Sequence, residues 1–132
     1  MSRTVFSIDT EVRWRDLDAF GHVNNAAYLG YIEEARVRWF KSMSTDWASE
    51  TSAPIVAAVT ANYRKPMGWP ETVRVELFCE RLGGKSVTLR HRITSLTMPD
   101  TLYCDGNTVL VWVNASGQSI ALPDAVRSAC AD

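Results

Sequence analysis

The sequence predicts an α+β domain in which one long helix lies against an antiparallel sheet of about five strands. Three observations carry this. Apolar residues recur at three- and four-residue spacing only between Ala26 and Ser42, the period of an amphipathic helix. Before that segment and after it, apolar and polar residues alternate, the period of a strand. At 132 residues the chain is long enough to bury a core and too short for two domains, so residues 1–132 form one layered unit.

In the first strand Phe6, Ile8, Val12 and Trp14 share one phase, with Ser7, Asp9, Glu11, Arg13 and Arg15 in the other. A polar loop runs to about Asn24. There Asn24 or Asn25 suits the helix N-cap, because its side-chain oxygen can accept an orphan N–H of the first turn. The helix carries Leu29, Ile32, Ala35, Trp39 and Met43 on its apolar face, and Glu33 with Arg36 and Glu34 with Arg38 are spaced to pair along it. Asp46 through Pro54 reads as a polar connection. Ile55-Val56-Ala57-Ala58-Val59 is apolar at every position, as expected of a central strand covered on at least one side; it continues through Tyr63 and stops at Pro66. Val73, Val75, Leu77 and Cys79 alternate with charged residues, Gly83-Gly84 permits a tight reversal, and Val87, Leu89, His91 and Ile93 alternate in turn, which predicts a hairpin. Pro99-Asp100 marks the next turn, Leu102 to Val113 forms the last long strand, and Pro123 opens a short tail compatible with helix.

Composition narrows the function classes. A formal net charge of −1 offers no electrostatic footprint for nucleic acid or an anionic membrane. No window approaches the roughly 20 apolar residues of a membrane span, and the charged N-terminus lacks the apolar core of a signal peptide, so a cytoplasmic location is expected. The three cysteines are odd in number and form no Cys-x-x-Cys pair, which speaks against a zinc site or a disulfide framework and for buried thiols. Cys79 shares the core phase of its strand, whereas Cys130 lies in a tail open to fraying.

The chemistry concentrates between Val12 and Phe40. Asp16 and Asp18 stand two apart after the first strand, Gly21 allows a turn, and the helix start supplies unpaired backbone N–H groups and the positive end of the helix dipole. A carboxylate and oxyanion donors therefore fall within a few residues. The run DLDAFGHVNNAAYLGYIEEAR resembles the D-x-D-x-x-G-x-V-x-x-x-x-Y-x-x-x-x-E-x-x-R pattern of the 4-hydroxybenzoyl-CoA thioesterase-like, or YbgC-like, hotdog acyl-CoA thioesterases. Tyr63-Arg64-Lys65-Pro66, the Gly83-Gly84 turn and the later strands resemble that family too. The resemblance implies a hotdog fold, with a curved sheet wrapped around the central helix, and a homodimer or homotetramer with shared sites. It also implies hydrolysis of an acyl-CoA to a carboxylic acid and CoA, with no metal and no cofactor beyond the coenzyme A of the substrate.

Asp18 matches the family's catalytic Asp, and a thioester needs chiefly a nucleophile or a base for water plus stabilisation of one oxyanion. A lone Asp before a helix is usually a turn residue; here the extended motif favours catalysis. Asp16 is read as structural, and His22 as a secondary candidate for general base. At position 25 the sequence departs from the family, which has His or Tyr. Asn25 can donate a hydrogen bond or lend its backbone N–H to an oxyanion hole, but it cannot transfer protons. Glu33, which would be the catalytic carboxylate in another hotdog branch, is read as structural, and Tyr28 and Tyr31 as core or interface. The candidates for the CoA phosphates are Arg64, Lys65, Arg81 and Lys85; Lys85 follows the Gly83-Gly84 turn and Lys65 ends its strand before Pro66, and the resemblance implies that CoA lies near these elements, which favours Lys65 and Lys85. Two other readings compete: a non-catalytic binder of acyl-CoA or acyl-carrier protein, favoured by Asn25, and a hotdog dehydratase, disfavoured by the D-x-D loop.

Overall fold

The computed structural model describes residues 3–43 and 47–131. Strand β1 (Thr4–Glu11) leads through a short 3-10 turn (Trp14–Asp16) to helix α1 (Asn25–Ser42). Strands β2 (Ser52–Tyr63), β3 (Thr72–Leu82), β4 (Ser86–Ser95) and β5 (Leu102–Asn114) follow, and helix α2 (Asp124–Cys130) closes the chain. All four strand pairings are antiparallel and the order is β1-β3-β4-β5-β2. This is the expected five-stranded hotdog architecture around one long helix. Among the described residues no helix is long and apolar enough to cross a membrane.

Asn24, rather than Asn25, caps α1 by accepting from the Ala26 N–H at 2.9 Å. The buried seam is Tyr28, Ile32, Ala35, Trp39 and Phe40, while Leu29 stands 37% exposed. The helix is thus rotated toward Tyr28 relative to the predicted face. Burying a large apolar side chain stabilises by about 1.5–3 kcal/mol against about 1 kcal/mol for a cap, so the seam holds this helix more than its cap does. The seam meets Val73, Val75 and Leu77 of β3, Val87, Leu89 and Ile93 of β4, and Leu110 and Trp112 of β5.

Several expectations need correction. Strand β1 ends at Glu11 and Trp14 lies in the 3-10 turn, exposed, so the alternation ran past the strand it described. Pro54 lies inside β2, where an edge position tolerates its missing N–H; Asp46 lies outside the described residues. Cys79 is half-buried against the core, and Phe78, in the opposite phase, is buried too, with the Arg90 guanidinium 4.1 Å over its ring. Cys130 is buried at the end of α2 rather than frayed.

The largest difference concerns β2. It is an edge strand, not a central one, and Ile55, Val56 and Val59 are each close to half exposed within one chain. A long apolar edge strand left open would template pairing with other chains.

Candidate active site

The site is built from the loop before α1 and the segment after β2. Loop and segment are stitched by backbone hydrogen bonds: Asp18 N–H to His22 O at 2.7 Å, Asn24 N–H to Asp16 O at 2.8 Å, and Val23 N–H to Met67 O at 2.8 Å. Gly21 turns the loop at φ +78°, a conformation that L side chains rarely adopt. Asp16 Oδ2 accepts from the Tyr31 hydroxyl at 2.8 Å, the structural role expected of it. Burial and then this carboxylate raise the Tyr31 phenol well above its ordinary value.

Asp18 Oδ1 accepts from the backbone N–H of Phe20 at 2.8 Å and of His22 at 3.2 Å. The turn role therefore falls to one oxygen of the carboxylate. Oδ1 fixes the loop, and Oδ2 has no bond to another described residue. A cavity of about 270 Å³ joins Asp18, His22 and Asn25 to Tyr28, Tyr63, Arg64 and Lys65. Asn25 is the first residue of α1, so its N–H has no carbonyl one turn back to bond. Its own carbonyl accepts from the Tyr63 hydroxyl at 3.2 Å, which ties the helix start to the end of β2. A carboxylate and a helix N-terminus thus open onto the same space, an arrangement suited to acyl transfer.

Five of the sequence candidates are gathered here, and Arg81 and Lys85 are not. Arg64 N–H bonds Tyr103 O, while Lys85 O accepts from Trp112 N–H. Nine residues of β5 separate the two points, which is about 30 Å at 3.3 Å per residue. Arg64 is also partly engaged: its guanidinium donates to Asp105 Oδ1 at 2.9 and 3.2 Å, and Asn62 donates to the same oxygen at 3.1 Å. Burial works to raise the Asp105 carboxyl, but these hydrogen bonds and the Arg64 charge outweigh it and hold it below the usual range. Lys65 is exposed and makes no side-chain ion pair among the described residues, so it is the freer cation at the rim.

Sequence reading did not assign Tyr28, Tyr63 and Asp105 to the site. The two tyrosine rings meet edge to face at 5.0 Å and form one wall, and burial raises both phenols, so they remain donors near neutrality. Glu33 is exposed rather than on the buried side of α1; it reaches Arg36 at 3.8 Å and is absent from this cavity. A second cavity of about 290 Å³ reaches Asp16, Tyr31, Glu34 and Arg38, but it contains none of Asp18, His22 and Asn25.

A further space of about 140 Å³ lies in the groove between α1 and β2, lined by Leu29, Ile32, Val56 and Val59, with Glu33, Arg36 and Thr108. Thr108 is 2% exposed and its hydroxyl lacks a partner, as does Nδ1 of the fully buried His91. An unsatisfied buried polar group costs about 1–3 kcal/mol. Burial also pushes the His91 imidazole down to about 4, so it is neutral at pH 7. Among the described residues no three His, Cys, Asp or Glu side chains converge as a metal site would require.

Comparisons with known proteins bear on the family and the fold. The profile of the Thioesterase-like superfamily matches residues 12–130. The PA2801 protein of Pseudomonas aeruginosa, a thioesterase by assignment, is 40% identical with a TM-score of 0.91, over 98% of this chain and 100% of that one. A thioesterase of Thermus thermophilus, solved with coenzyme A and zinc, is 34% identical with a TM-score of 0.83, over 98% and 100%. The long-chain acyl-CoA thioesterase FadM of Escherichia coli is 36% identical over 64% of this chain and 65% of its own length. Matches to the curated relatives span 62% to 65% of those proteins' lengths.

Proposed function

The chain belongs to the Thioesterase-like superfamily, and from that premise we propose that it hydrolyses acyl-CoA thioesters to a carboxylic acid and free CoA. The observation that carries the proposal is the shared cavity of Asp18, His22, Asn25 and Lys65 at the start of α1. Asp18 Oδ2 either attacks the thioester carbonyl or takes a proton from the attacking water; both routes need the ionised carboxylate. The Asn25 N–H and side-chain amide stabilise the oxyanion, His22 orients the attacking group, and the C–S bond breaks; on the water route the proton taken by Asp18 passes to the CoA sulfur, and on the direct route water protonates that sulfur and hydrolyses the acyl–Asp18 anhydride to the free acid. On this mechanism coenzyme A enters only as part of the substrate. Release of free thiol from short, medium, long and aromatic acyl-CoAs tests the proposal, and a protein that binds acyl-CoA but releases no thiol from any of them would be the non-catalytic binder.

Phosphate contacts follow from the rim. The Lys65 ammonium meets the CoA phosphates, with Arg64 beside it held by Asp105. Lys65→Ala should raise KM by about 3- to 10-fold with little change in kcat, an effect that shrinks with added salt and vanishes with an acyl-N-acetylcysteamine substrate. Lys85 can contribute only from a second copy, and Lys85→Ala is read in the same assay; KM unchanged in both variants returns these lysines to the solvated surface.

A homo-oligomer, at least a dimer, accounts for β2. A second copy would cover Ile55, Val56 and Val59 and remove the open edge. Light scattering should give a dimer or tetramer mass; a fully active monomer at micromolar concentration sinks both the packing argument and the shared site.

A further inference from the structure

Resting on the thioesterase reading, we infer that Tyr31 is a positioning residue for hydrolysis: its hydroxyl grips Asp16 and so holds the loop that carries Asp18 against α1. The hydroxyl donates to Asp16 Oδ2 at 2.8 Å, and both residues are half-buried. Burial and then the carboxylate raise the Tyr31 phenol well above its ordinary value, so it remains a donor through neutral pH.

The loop is braced within itself. Asp18 N–H donates to His22 O at 2.7 Å, and Leu17 bridges Val23. A segment braced in this way moves as a unit, and its aim at the helix start is set where its two ends are attached. At the far end Val23 N–H donates to Met67 O at 2.8 Å. At the near end Asp16 meets α1 twice. Its carbonyl accepts from the N–H of Asn24, the N-cap, at 2.8 Å, and its carboxylate accepts from Tyr31. Tyr31 stands six residues beyond Asn25, about 9 Å along the axis, and helical side chains lean back toward the N-terminus, which lets its hydroxyl meet the loop. Two contacts from one residue fix its orientation, where one would leave a hinge.

Packing does not replace this bond. Beside it lies the cavity of about 290 Å³, whose helix side includes Ala27 and Gly30. Side chains that small leave a gap between loop and helix, and the tyrosine spans it. Neither Tyr31 nor Asp16 lines the Asp18 cavity, so the hydroxyl reaches the chemistry through the loop and not through substrate. A misplacement of about 1 Å at the reacting groups can cost about 10²-fold in rate.

Tyr31→Phe should therefore lower kcat for acyl-CoA by roughly 10- to 100-fold with KM changed by less than about 2-fold, measured well below the unfolding midpoint. The same loss should appear with an acyl-N-acetylcysteamine substrate, because no CoA contact is involved. Asp16→Asn keeps an oxygen for the hydroxyl and should retain most of the rate. Asp16→Ala should be as slow as Tyr31→Phe, and the two changes combined should be no slower than Asp16→Ala alone. Unchanged kcat in Tyr31→Phe means that another donor, such as Arg13 on the same cavity, holds Asp16, and overturns the inference while leaving the thioesterase reading intact. Losses that multiply in the combined variant, a rise in KM in place of the fall in kcat, or an Asp16→Asn as slow as Asp16→Ala also overturn it. If the parent hydrolyses no acyl-CoA, the thioesterase reading fails instead, and amide hydrogen exchange decides the tether. The N–H groups of Asp18 and Asn24 should then exchange about 10-fold faster in Tyr31→Phe than in the parent, and equal rates sink it.

Discussion

Asp18→Asn should lower kcat by about 10³ or more, roughly 4 kcal/mol of transition-state stabilisation, with KM and the unfolding midpoint nearly unchanged. The structure explains why the loss is confined to chemistry. An asparagine keeps an oxygen where Oδ1 now accepts from the Phe20 and His22 N–H groups, so the loop retains its two anchors. What disappears is the charge on Oδ2, the atom left for substrate or water. Asn25→Ala should be milder than the ~10²–10³ typical of losing an oxyanion donor, because the backbone N–H of residue 25 survives the change. Thiol release measured for Asp18→Asn, Asn25→Ala, His22→Ala and Glu33→Gln side by side gives the order of severity. Near-normal hydrolysis by Asp18→Asn, with activity lost in His22→Ala or Glu33→Gln, means that the catalytic residue has been assigned wrongly.

That Asp18, His22 and Asn25 lie together was legible in sequence because they fall within eight residues at the junction of the loop and α1, where local spacing and cap chemistry carry the signal. Strands β3 and β4 were legible because Val73, Val75 and Leu77, and Val87, Leu89 and Ile93, keep a two-residue period against a single helix. What sequence missed depends on distance along the chain. Asp105 meets Arg64 across 41 residues and Tyr63 meets Asn25 across 38, and neither pairing leaves a local pattern. Strand β2 misled for a different reason: unbroken apolarity from Ile55 to Val59 reports that both faces of the strand are to be covered, not whether the cover is the same chain or a second one. Leu29 was placed in the core by the same ambiguity, since the groove toward β2 is apolar on the helix side too.

Gly106→Ala should destabilise the fold by about 3–5 kcal/mol, which at 1–3 kcal/mol per molar urea moves the unfolding midpoint down by roughly 2 M. Gly106 lies in β5 between His91 of β4 and Ala61 of β2, at φ +151°. A Cβ there would stand 1.9 Å from the Thr60 carbonyl oxygen and 2.8 Å from its carbon. Both are backbone atoms, so no rotamer change relieves the overlap, and the residue would also be strained in its own conformation. The cheapest escape is for β2 to move off β5. That strand carries Tyr63 and leads into Arg64, while Asp105, next to the substituted glycine, holds the Arg64 guanidinium. Loss of the β2 register therefore reaches the wall of the Asp18 cavity, and on the proposed function hydrolysis should fall together with stability. Gly84→Ala is the control, since a Cβ at Gly84 meets nothing within 4 Å, and its midpoint should shift little. If Gly106→Ala instead unfolds at the same urea concentration as the parent, β2 and β5 do not approach as closely at Thr60 as the register requires, and the anchoring of Tyr63 and Arg64 by that pairing is wrong.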